Sequence, residues 1–298
     1  MNNTEQDIIL TRTFDATIDQ VWKAITDREQ MGRWYFDLAD FKAEVGFQFQ
    51  FSGGPSPERQ YLHLCEVTEV IPEKKLTYSW RYDGYGGISF VTFELTGNGN
   101  TTQLKFTHKG INTFPMDNPD LAIGNFIEGW NFIIHTSLKD YVENVDKEIF
   151  SSRTFNAPRD LVWEVWTNPN HTALWWGPKG FTNTIYEMDV KVGGIFKFMM
   201  HSPDGIDFPN IISYIEVVKP ERLVYNHGNF ENPEMFFVTI KFLEDNGKTK
   251  ITMRMLFKTA DERKVVVEKY GAIEGQKQHL DKLDAYLTKM QGTKELER

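Results

Sequence analysis

The 298-residue sequence has little of what several protein classes require. Its single cysteine, Cys65, excludes disulfides within the chain and metal or iron–sulfur sites built from several thiolates. No apolar run is long enough to span a bilayer. Lysine and arginine number 33 against 42 acidic residues, and the net charge of −9 weighs against nucleic acid or anionic lipid as a partner.

A secretory signal is also missing from the start of the sequence. The first ten residues contain Glu5 and Asp7 and lack a basic segment followed by an apolar one. A lone cysteine fits a reducing compartment. We therefore predict a soluble, cytoplasmic protein.

Aromatic residues, in contrast, are abundant. Phe, Trp and Tyr make up 14% of the chain, within a hydrophobic content of 40% that is ordinary for a globular protein. Such large side chains have to be buried in a core or around a cavity. The length favours two domains, at roughly 150 residues each.

The sequence repeats itself once. Segment 11–27 aligns with segment 152–168, an offset of 141 at which 8 of 17 residues are identical. At an offset of 147, Val45-Gly46 falls on Val192-Gly193, and at 146, Glu128-Gly129 falls on Glu274-Gly275. A period this long indicates a duplicated domain, because solenoid repeats span roughly 20–50 residues. We predict domains at 1–145 and 146–298.

Each copy shows the same order of secondary structure. A strand and an amphipathic helix come first, and several segments with strict alternation, such as Phe47, Phe49 and Phe51, then predict an antiparallel meander. A helix closes each copy, and its apolar residues form a stripe that must pack on the sheet. The two stripes are Ile127, Trp130, Ile134, Leu138 and Tyr141, and Ile273, Gln276, Leu280, Leu283, Leu287 and Met290.

This order and several strings resemble the START-like, or SRPBCC, superfamily. Within it the chain is most similar to the family named for the C-terminal domain of the activator of the heat-shock-protein-90 ATPase. The strings are Trp34-Tyr35-Phe36, Glu128-Gly129-Trp130, Trp175-Trp176-Gly177-Pro178-Lys179-Gly180-Phe181 and Pro220-Glu221-Arg222-Leu223-Val224-Tyr225.

The resemblance implies an α+β fold made of two tandem helix-grip domains. In each, a curved antiparallel sheet of about seven strands wraps around the long C-terminal helix and leaves a cavity between them. The superfamily includes lipid carriers, hormone receptors and cyclases, so the motifs indicate the fold more strongly than the chemistry.

Inward-facing aromatic and polar residues are the candidates for ligand binding, because a few polar groups in an apolar cavity can orient a small molecule. The alternative is that each polar ring is satisfied inside an ordinary core. The first copy contributes Trp34, Phe49, Phe51, Tyr61, His63, Trp80, Tyr82, His108 and Trp130. The second contributes Trp175, Trp176, Phe196, Phe198, Met200, Asn210, Tyr225, His227 and Met255.

No motif predicts a metal, a cofactor or a catalytic group. His201, His227 and His279 have neither HxH nor HExxH spacing and no assignable carboxylate partner. The glycines at 84, 86 and 87 lack the helix and the Lys-Ser/Thr pair of a phosphate-binding loop.

Three hypotheses about function follow. The first is non-catalytic binding of a small hydrophobic or amphipathic molecule in a cavity of each domain. The second is a chaperone-associated stress protein, although the separate chaperone-binding domain of the full activator is replaced here by a second cavity-type copy. The third is an enzyme of cyclase or dehydratase type, in which an inward His, Tyr or Asp shifts protons.

Overall fold

A computed structural model describes residues 7–56, 58–115 and 117–296. The chain divides between Val145 and Asp146 into two compact units. Each contains an antiparallel sheet, two short helices after its first strand and helical segments at its end. The predicted α+β class, with a helix-grip domain in each copy, is confirmed.

The first unit begins with β1 (Ile8–Phe14), α1 (Ile18–Thr26) and α2 (Arg28–Trp34). The meander follows as β2 (Gln48–Ser56), β3 (Arg59–Ile71), β4 (Lys75–Tyr82), β5 (Ser89–Asn98) and β6 (Thr101–Lys109). Two 3-10 turns, Ile111–Thr113 and Pro119–Leu121, lead to α3 (Ile123–Phe132), a π-helical segment (Ile133–Leu138) and α4 (Lys139–Val142). The strands of the described residues lie in the order β1-β6-β5-β4-β3-β2.

The second unit begins with β7 (Glu148–Phe155), α5 (Arg159–Thr167) and α6 (Pro169–Trp175). Its strands are β8 (Thr182–Met188), β9 (Ile195–His201), β10 (Asp207–Val218), β11 (Arg222–Gly228), β12 (Phe236–Asp245) and β13 (Lys248–Phe257). Two helices, α7 (Ala260–Tyr270) and α8 (Ala272–Leu296), close the unit. The sheet order is β7-β13-β12-β11-β10-β9-β8.

The sheets differ by one strand, six against seven within the described residues. The offset between the copies grows from 141 to 147 between Trp175 and Val192, so the second copy has six extra residues there. Those residues supply the edge strand β8, which pairs with β9. The expectation of about seven strands therefore holds for the second unit, and the first unit has one fewer.

Each sheet carries a β-bulge at the same place. The register shifts between Val67 and Glu69 in β3, and between Tyr214 and Glu216 in β10. A glycine with positive φ donates to the bulged strand in both copies, from Gly46 N to Val67 O at 2.8 Å and from Gly193 N to Tyr214 O at 2.9 Å. Because a bulge bends its strand, this shared Val-Gly motif helps to curve the sheet around the last helix.

The closing helices bury most of the predicted stripes. Ile134 and Leu138 are fully buried in the first unit, as are Leu280 and Leu283 in the second, at 3% exposure or less. Ile127 and Ile273 were expected to be buried and are 39% and 51% exposed. Both lie one turn N-terminal to the buried stripe. Phe126, the neighbour of Ile127, is buried against the ring of His108 in β6, so α3 still packs on the sheet there and Ile127 points away from it.

Buried polar contacts hold the first helices to the sheet identically in both copies. Thr102 Oγ1 donates to Ala16 O at 2.8 Å, and Thr249 Oγ1 donates to Ala157 O at 2.7 Å. Both threonines are fully buried. We refer to these two bonds as the threonine clasps, and they fix the segment that enters the first helix of each unit.

The π segment of the first unit corresponds to one extra residue. Ile134 matches Leu280 at an offset of 146, whereas Leu138 matches Leu283 and Val142 matches Leu287 at 145, and all six side chains are buried. A turn with i→i+5 bonds accommodates a residue that an α-helix cannot place without rotating everything beyond it. The stripe therefore stays in phase across the insertion.

Deletion of His135, which lies inside the π segment, should be tolerated. We expect the segment to become α-helical and to keep Leu138 and Val142 in the core. Deletion of Asp281, its counterpart in α8, should rotate Leu283 and Leu287 by about 100° and cost several kcal/mol, because buried leucines are displaced. Urea unfolding followed by circular dichroism measures both. The interpretation fails if loss of His135 unfolds the first unit as completely as loss of Asp281 unfolds the second.

Candidate functional site

The first unit contains a cavity of about 400 Å³ between the inner face of its sheet and α3. Its floor comes from β3 and β4, and its wall from α3 and the start of the π segment. Aromatic rings dominate the lining, with a few polar groups among them. The lining includes Phe36, Tyr61, His63, Trp80, Tyr82, Asp120, Asn125, Phe126, Gly129, Trp130 and Ile133.

Five of the predicted residues of this copy line the cavity: Tyr61, His63, Trp80, Tyr82 and Trp130. They meet there because β3 and β4 pair antiparallel, with His63 opposite Tyr82, so alternate side chains of both strands face α3. The other predicted residues lie elsewhere.

Trp34, Phe49, Phe51 and His108 are buried around the cavity and are not among its lining residues. The indole N–H of Trp34 donates to Ala24 O at 2.8 Å and so holds α2 to α1. Phe51 stacks on His63, with ring centroids 4.3 Å apart. These residues pack against the side chains that line the cavity, on the side that faces away from it.

His108 organises the two tryptophans of the cavity. Trp130 Nε1 donates to His108 Nδ1 at 2.9 Å, so the neutral ring carries its proton on Nε2. Nε2 lies 2.8 Å from Ser89 Oγ, which in turn donates to Trp80 O at 3.3 Å. This chain of hydrogen bonds fixes the position of Trp130 relative to β4. Burial also lowers the pKa of His108 to about 3, so its ring is neutral.

His63 presents a hydrogen-bond acceptor. Its Nδ1 lies 3.2 Å from Phe51 O, and because a carbonyl only accepts, Nδ1 carries the proton. Nε2 of the neutral ring is then an acceptor. Burial lowers the pKa of His63 to about 4, so the ring stays neutral at physiological pH.

A polar cluster borders the cavity on one side. Tyr61 donates its hydroxyl to Asp120 Oδ2 at 2.7 Å, and Asn118 Nδ2 donates to the same hydroxyl at 3.4 Å. Arg59 Nε lies 3.4 Å from Asp120 Oδ2. The bond to Asp120 raises the pKa of Tyr61. Sequence reasoning missed Asp120, since it lies on a 3-10 turn without periodicity.

Gly129 leaves part of the cavity wall open. A Cβ at this position would meet no atom within 4 Å, and the backbone of the residue lines the cavity. The Glu-Gly string occurs in both copies and was the sequence signal at this position, but it did not predict that a cavity lies here. In the second unit, the equivalent Cβ at Gly275 would lie 3.6 Å from Pro178 Cγ.

The second unit repeats the hydrogen bonds that hold its first two helices in place, but different side chains lie between its sheet and its last helix. By the offsets of 147 and 146, its counterparts of Gly53, His63, Trp80, His108, Trp130 and Ile133 are Met200, Asn210, His227, Met255, Gln276 and His279. His227 Nε2 lies 3.0 Å from Asn210 Oδ1. Four bulky rings of the first unit are thus replaced by smaller or more flexible polar and thioether side chains.

The other predicted residues of this copy form its core. Trp175 donates from Nε1 to Val165 O at 3.1 Å, as Trp34 does in the first unit. Trp176 packs against Phe196 and Phe198, with ring centroids 5.5 and 6.1 Å apart. Tyr225 is fully buried beside His227.

His201 has the carboxylate partner that the sequence could not assign. Its Nδ1 lies 2.6 Å from Asp207 Oδ1 and its Nε2 lies 2.9 Å from Thr184 Oγ1. His201 alternates along β9 with the buried Phe196 and Phe198, which places it on the outer face of the sheet. The trio is therefore separate from the interior of the unit.

A second cavity, of about 410 Å³, lies under α7. Phe236 and Phe257 line it from the sheet, and Val265, Val266 and Tyr270 line it from α7. Phe236 also contacts His227, with ring centroids 4.9 Å apart. This cavity therefore borders the interior of the second unit.

Two further features are absent from the described residues. No group of three or more His, Cys, Asp or Glu side chains in that part of the chain could hold a metal ion. Of its helices, none is both long and apolar enough to cross a bilayer.

Fold and cavity together define a helix-grip protein with a ligand-sized interior, and comparison with known proteins identifies its family. The model of the family "Activator of Hsp90 ATPase homolog 1-like protein" matches residues 15–143 and again 156–288. The chain belongs to this family and contains two copies of its domain. A search of curated proteins finds no match.

Solved structures that are similar to this chain are numerous. Protein Ms6760 from Mycobacterium smegmatis is 24% identical over 49% of this chain and 94% of its own, with a TM-score of 0.45. Protein NE0264 from Nitrosomonas europaea is 24% identical over 50% and 99%, with a TM-score of 0.44. DynU16, from the dynemicin biosynthetic locus, is 14% identical over 94% and 98%, with a TM-score of 0.39.

The buried histidines make stability depend on pH. Burial lowers the pKa of His63 to about 4 and those of His108 and His279 to about 3, against 6.5 in the unfolded chain. Below pH 6.5 the unfolded state binds more protons, so acid favours unfolding. We expect the free energy of unfolding to fall between pH 7 and pH 5, by up to about 1.4 kcal/mol per pH unit for each histidine.

Urea unfolding at several pH values measures this slope. Variants His63→Gln and His108→Gln should each make it shallower. A stability that is flat from pH 7 to pH 5 would contradict the assignment of neutral, buried rings.

Proposed function

We propose that the protein binds small hydrophobic or amphipathic molecules without covalent catalysis, chiefly in the cavity of the first unit. The observation that carries this proposal is the cavity itself. Its volume of about 400 Å³ falls in the range of small-molecule sites, and aromatic side chains surround a few polar groups there.

The lining indicates how a ligand would be held. Trp80 and Trp130 offer ring faces to an apolar or planar body, and Phe126 closes the same wall. The acceptor Nε2 of His63 and the carboxylate of Asp120 can receive hydrogen bonds. Trp80 Nε1 is buried beside the Tyr82 hydroxyl but outside hydrogen-bonding geometry with it, and among the described residues it has no other acceptor, so a ligand oxygen would satisfy it.

Proton-transfer chemistry is less well supported by the same groups. A general base works best with a pKa near the working pH, and burial holds the pKa of His63 at about 4. His108 is fully buried, and both of its nitrogens already have partners. Association with a heat-shock ATPase rests on the family's name alone and stays a prediction, as does a cytoplasmic location.

Replacing Gly129 with leucine should abolish binding in the first unit while preserving the fold. The new side chain would enter open space at the cavity wall without a clash. The helix should gain up to about 1 kcal/mol, because leucine is a better helix former than glycine. The measurement is a thermal-shift and native mass spectrometry screen of wild type and variant against fatty acids, isoprenoids and aromatic compounds.

Gly124→Leu is the matched control. Gly124 lies in the same helix, and a Cβ there also meets nothing within 4 Å, but the residue is not part of the cavity lining. It should bind ligands as wild type does. The proposal is wrong if no compound of the screen binds, or if binding survives Gly129→Leu.

A further inference from the structure

Among the buried side-chain groups of the second unit that have no hydrogen-bond partner in the described residues, two belong to rings of its aromatic core. They are the hydroxyl of Tyr225 and Nε2 of His279. Both side chains are buried, at 1% and 8% exposure. A buried donor without a partner destabilises a fold, and in native proteins water or a ligand commonly supplies what the protein does not.

The Tyr225 hydroxyl lost its partner when the copies diverged. Its counterpart in the first unit, Tyr78, lies 2.9 Å from the hydroxyl of Tyr35. In the second unit Trp176 stands at the position of Tyr35. The indole fills the space and supplies no oxygen, and yet the second unit has kept the tyrosine.

His279 presents a second donor. Its Nδ1 accepts a hydrogen bond from the backbone N–H of Gly177 at 3.0 Å, so the neutral ring carries its proton on Nε2. Burial lowers the pKa of His279 to about 3, which keeps the ring neutral. The first unit has Ile133 at this position, so this donor also belongs to the second copy alone.

His227 adds an acceptor beside them. Asn210 Nδ2 donates to Phe208 O at 2.8 Å, which turns Asn210 Oδ1 toward His227 Nε2. His227 therefore carries its proton on Nε2, and its Nδ1 is an acceptor. The rings of Tyr225 and His227 are 6.4 Å apart. His279 packs against Trp176 and His227 against Phe198, and the rings of Trp176 and Phe198 contact each other. The three polar groups share one interior.

The cavity under α7 lies one side chain away from His227. Met200, Phe236 and Met255 pack on the core and are only partly buried. Phe236 separates His227 from the cavity under α7. A molecule in that cavity would reach the polar groups by displacing one phenylalanine ring.

The cation of this region already has its partners. Lys282, which reaches this part of the unit from α8, donates to the carbonyls of Trp176, Pro178 and Phe181 at 3.1 to 3.4 Å, so its three N–H groups are used and none remains for a ligand carboxylate. A carboxylate would lose its hydration among neutral donors, which is costly for a charged group. An uncharged oxygen suits two neutral donors better.

We propose that the interior of the second unit binds an uncharged carbonyl compound, whose oxygen accepts hydrogen bonds from Tyr225 and His279. This inference rests on the proposed function in that it treats the second interior as a ligand site. It adds the chemical class of the ligand and the two residues that recognise it. The first unit has no equivalent pair, because Tyr78 is bonded to Tyr35 and Ile133 stands at the position of His279.

The test compares three probes of one shape on the full chain: the ketone 2-acetonaphthone, the hydrocarbon 2-ethylnaphthalene and the carboxylate 2-naphthoate. Gly129→Leu is present throughout, to block the first cavity. Equilibrium dialysis should show the ketone bound about tenfold more tightly than the other two, since a site with buried donors rejects a ligand that leaves them unpaired. Tyr225→Phe and His279→Ile should each remove most of that preference and leave the affinity for the hydrocarbon unchanged.

Melting temperatures without ligand provide an independent readout. Tyr225→Phe should melt at or above the temperature of the parent, because the lost hydroxyl has no protein partner, whereas the matched Tyr78→Phe should melt lower. Equal affinity for ketone and hydrocarbon, or a preference that survives both variants, overturns the inference. If the first cavity still binds its ligands in that case, the proposed function stands; if no compound binds either unit, both fail.

Discussion

Each unit depends on one contact, the burial of the last helix's apolar stripe against the concave face of a curved sheet. Leu138 and Leu283 are fully buried there. In the first unit, Phe126 and Trp130 of α3 extend the contact to His108 of β6, and the space beside these side chains is the cavity. The same geometry that closes the core therefore opens the site.

The copies keep their frame and vary their interior. The threonine clasps, the glycine-anchored bulges and the indole bonds of Trp34 and Trp175 recur with nearly the same distances. The residues between sheet and helix do not recur, as the replacement of Trp80 by His227 shows. Because the frame bonds are made by backbone or by fully buried side chains, the interior can change without loosening the fold. Two interiors of different polarity on one frame are the result.

Much of the fold could be predicted from the sequence, since alternation and the single long repeat are strong signals. The seventh strand could not, because it depends on whether six inserted residues find an edge to pair with. The exposure of Ile127 and Ile273 was not predicted either, because a residue at the edge of an apolar stripe can face the sheet or the solvent, and the hydrophobic pattern is the same in both cases.

The candidate site could be predicted in part. Alternation along β3 and β4 identified the inward residues, of which Tyr61, His63, Trp80 and Tyr82 line the cavity. It could not separate them from Phe49 or His108, which face the same way and are covered by other side chains. Asp120 and Gly129 lie outside the strands, and only the packed structure brings them to the cavity.

The π segment has a consequence for how such a domain can evolve. Gain or loss of one codon between Ile134 and Leu138 is absorbed by a change between a π turn and an α turn, so neither half of the helix rotates. The two copies differ by one residue here, and the buried side chains on both sides of it still face the sheet. The helix thus contains a joint at which the chain length can change while the side chains that the cavity displays stay the same.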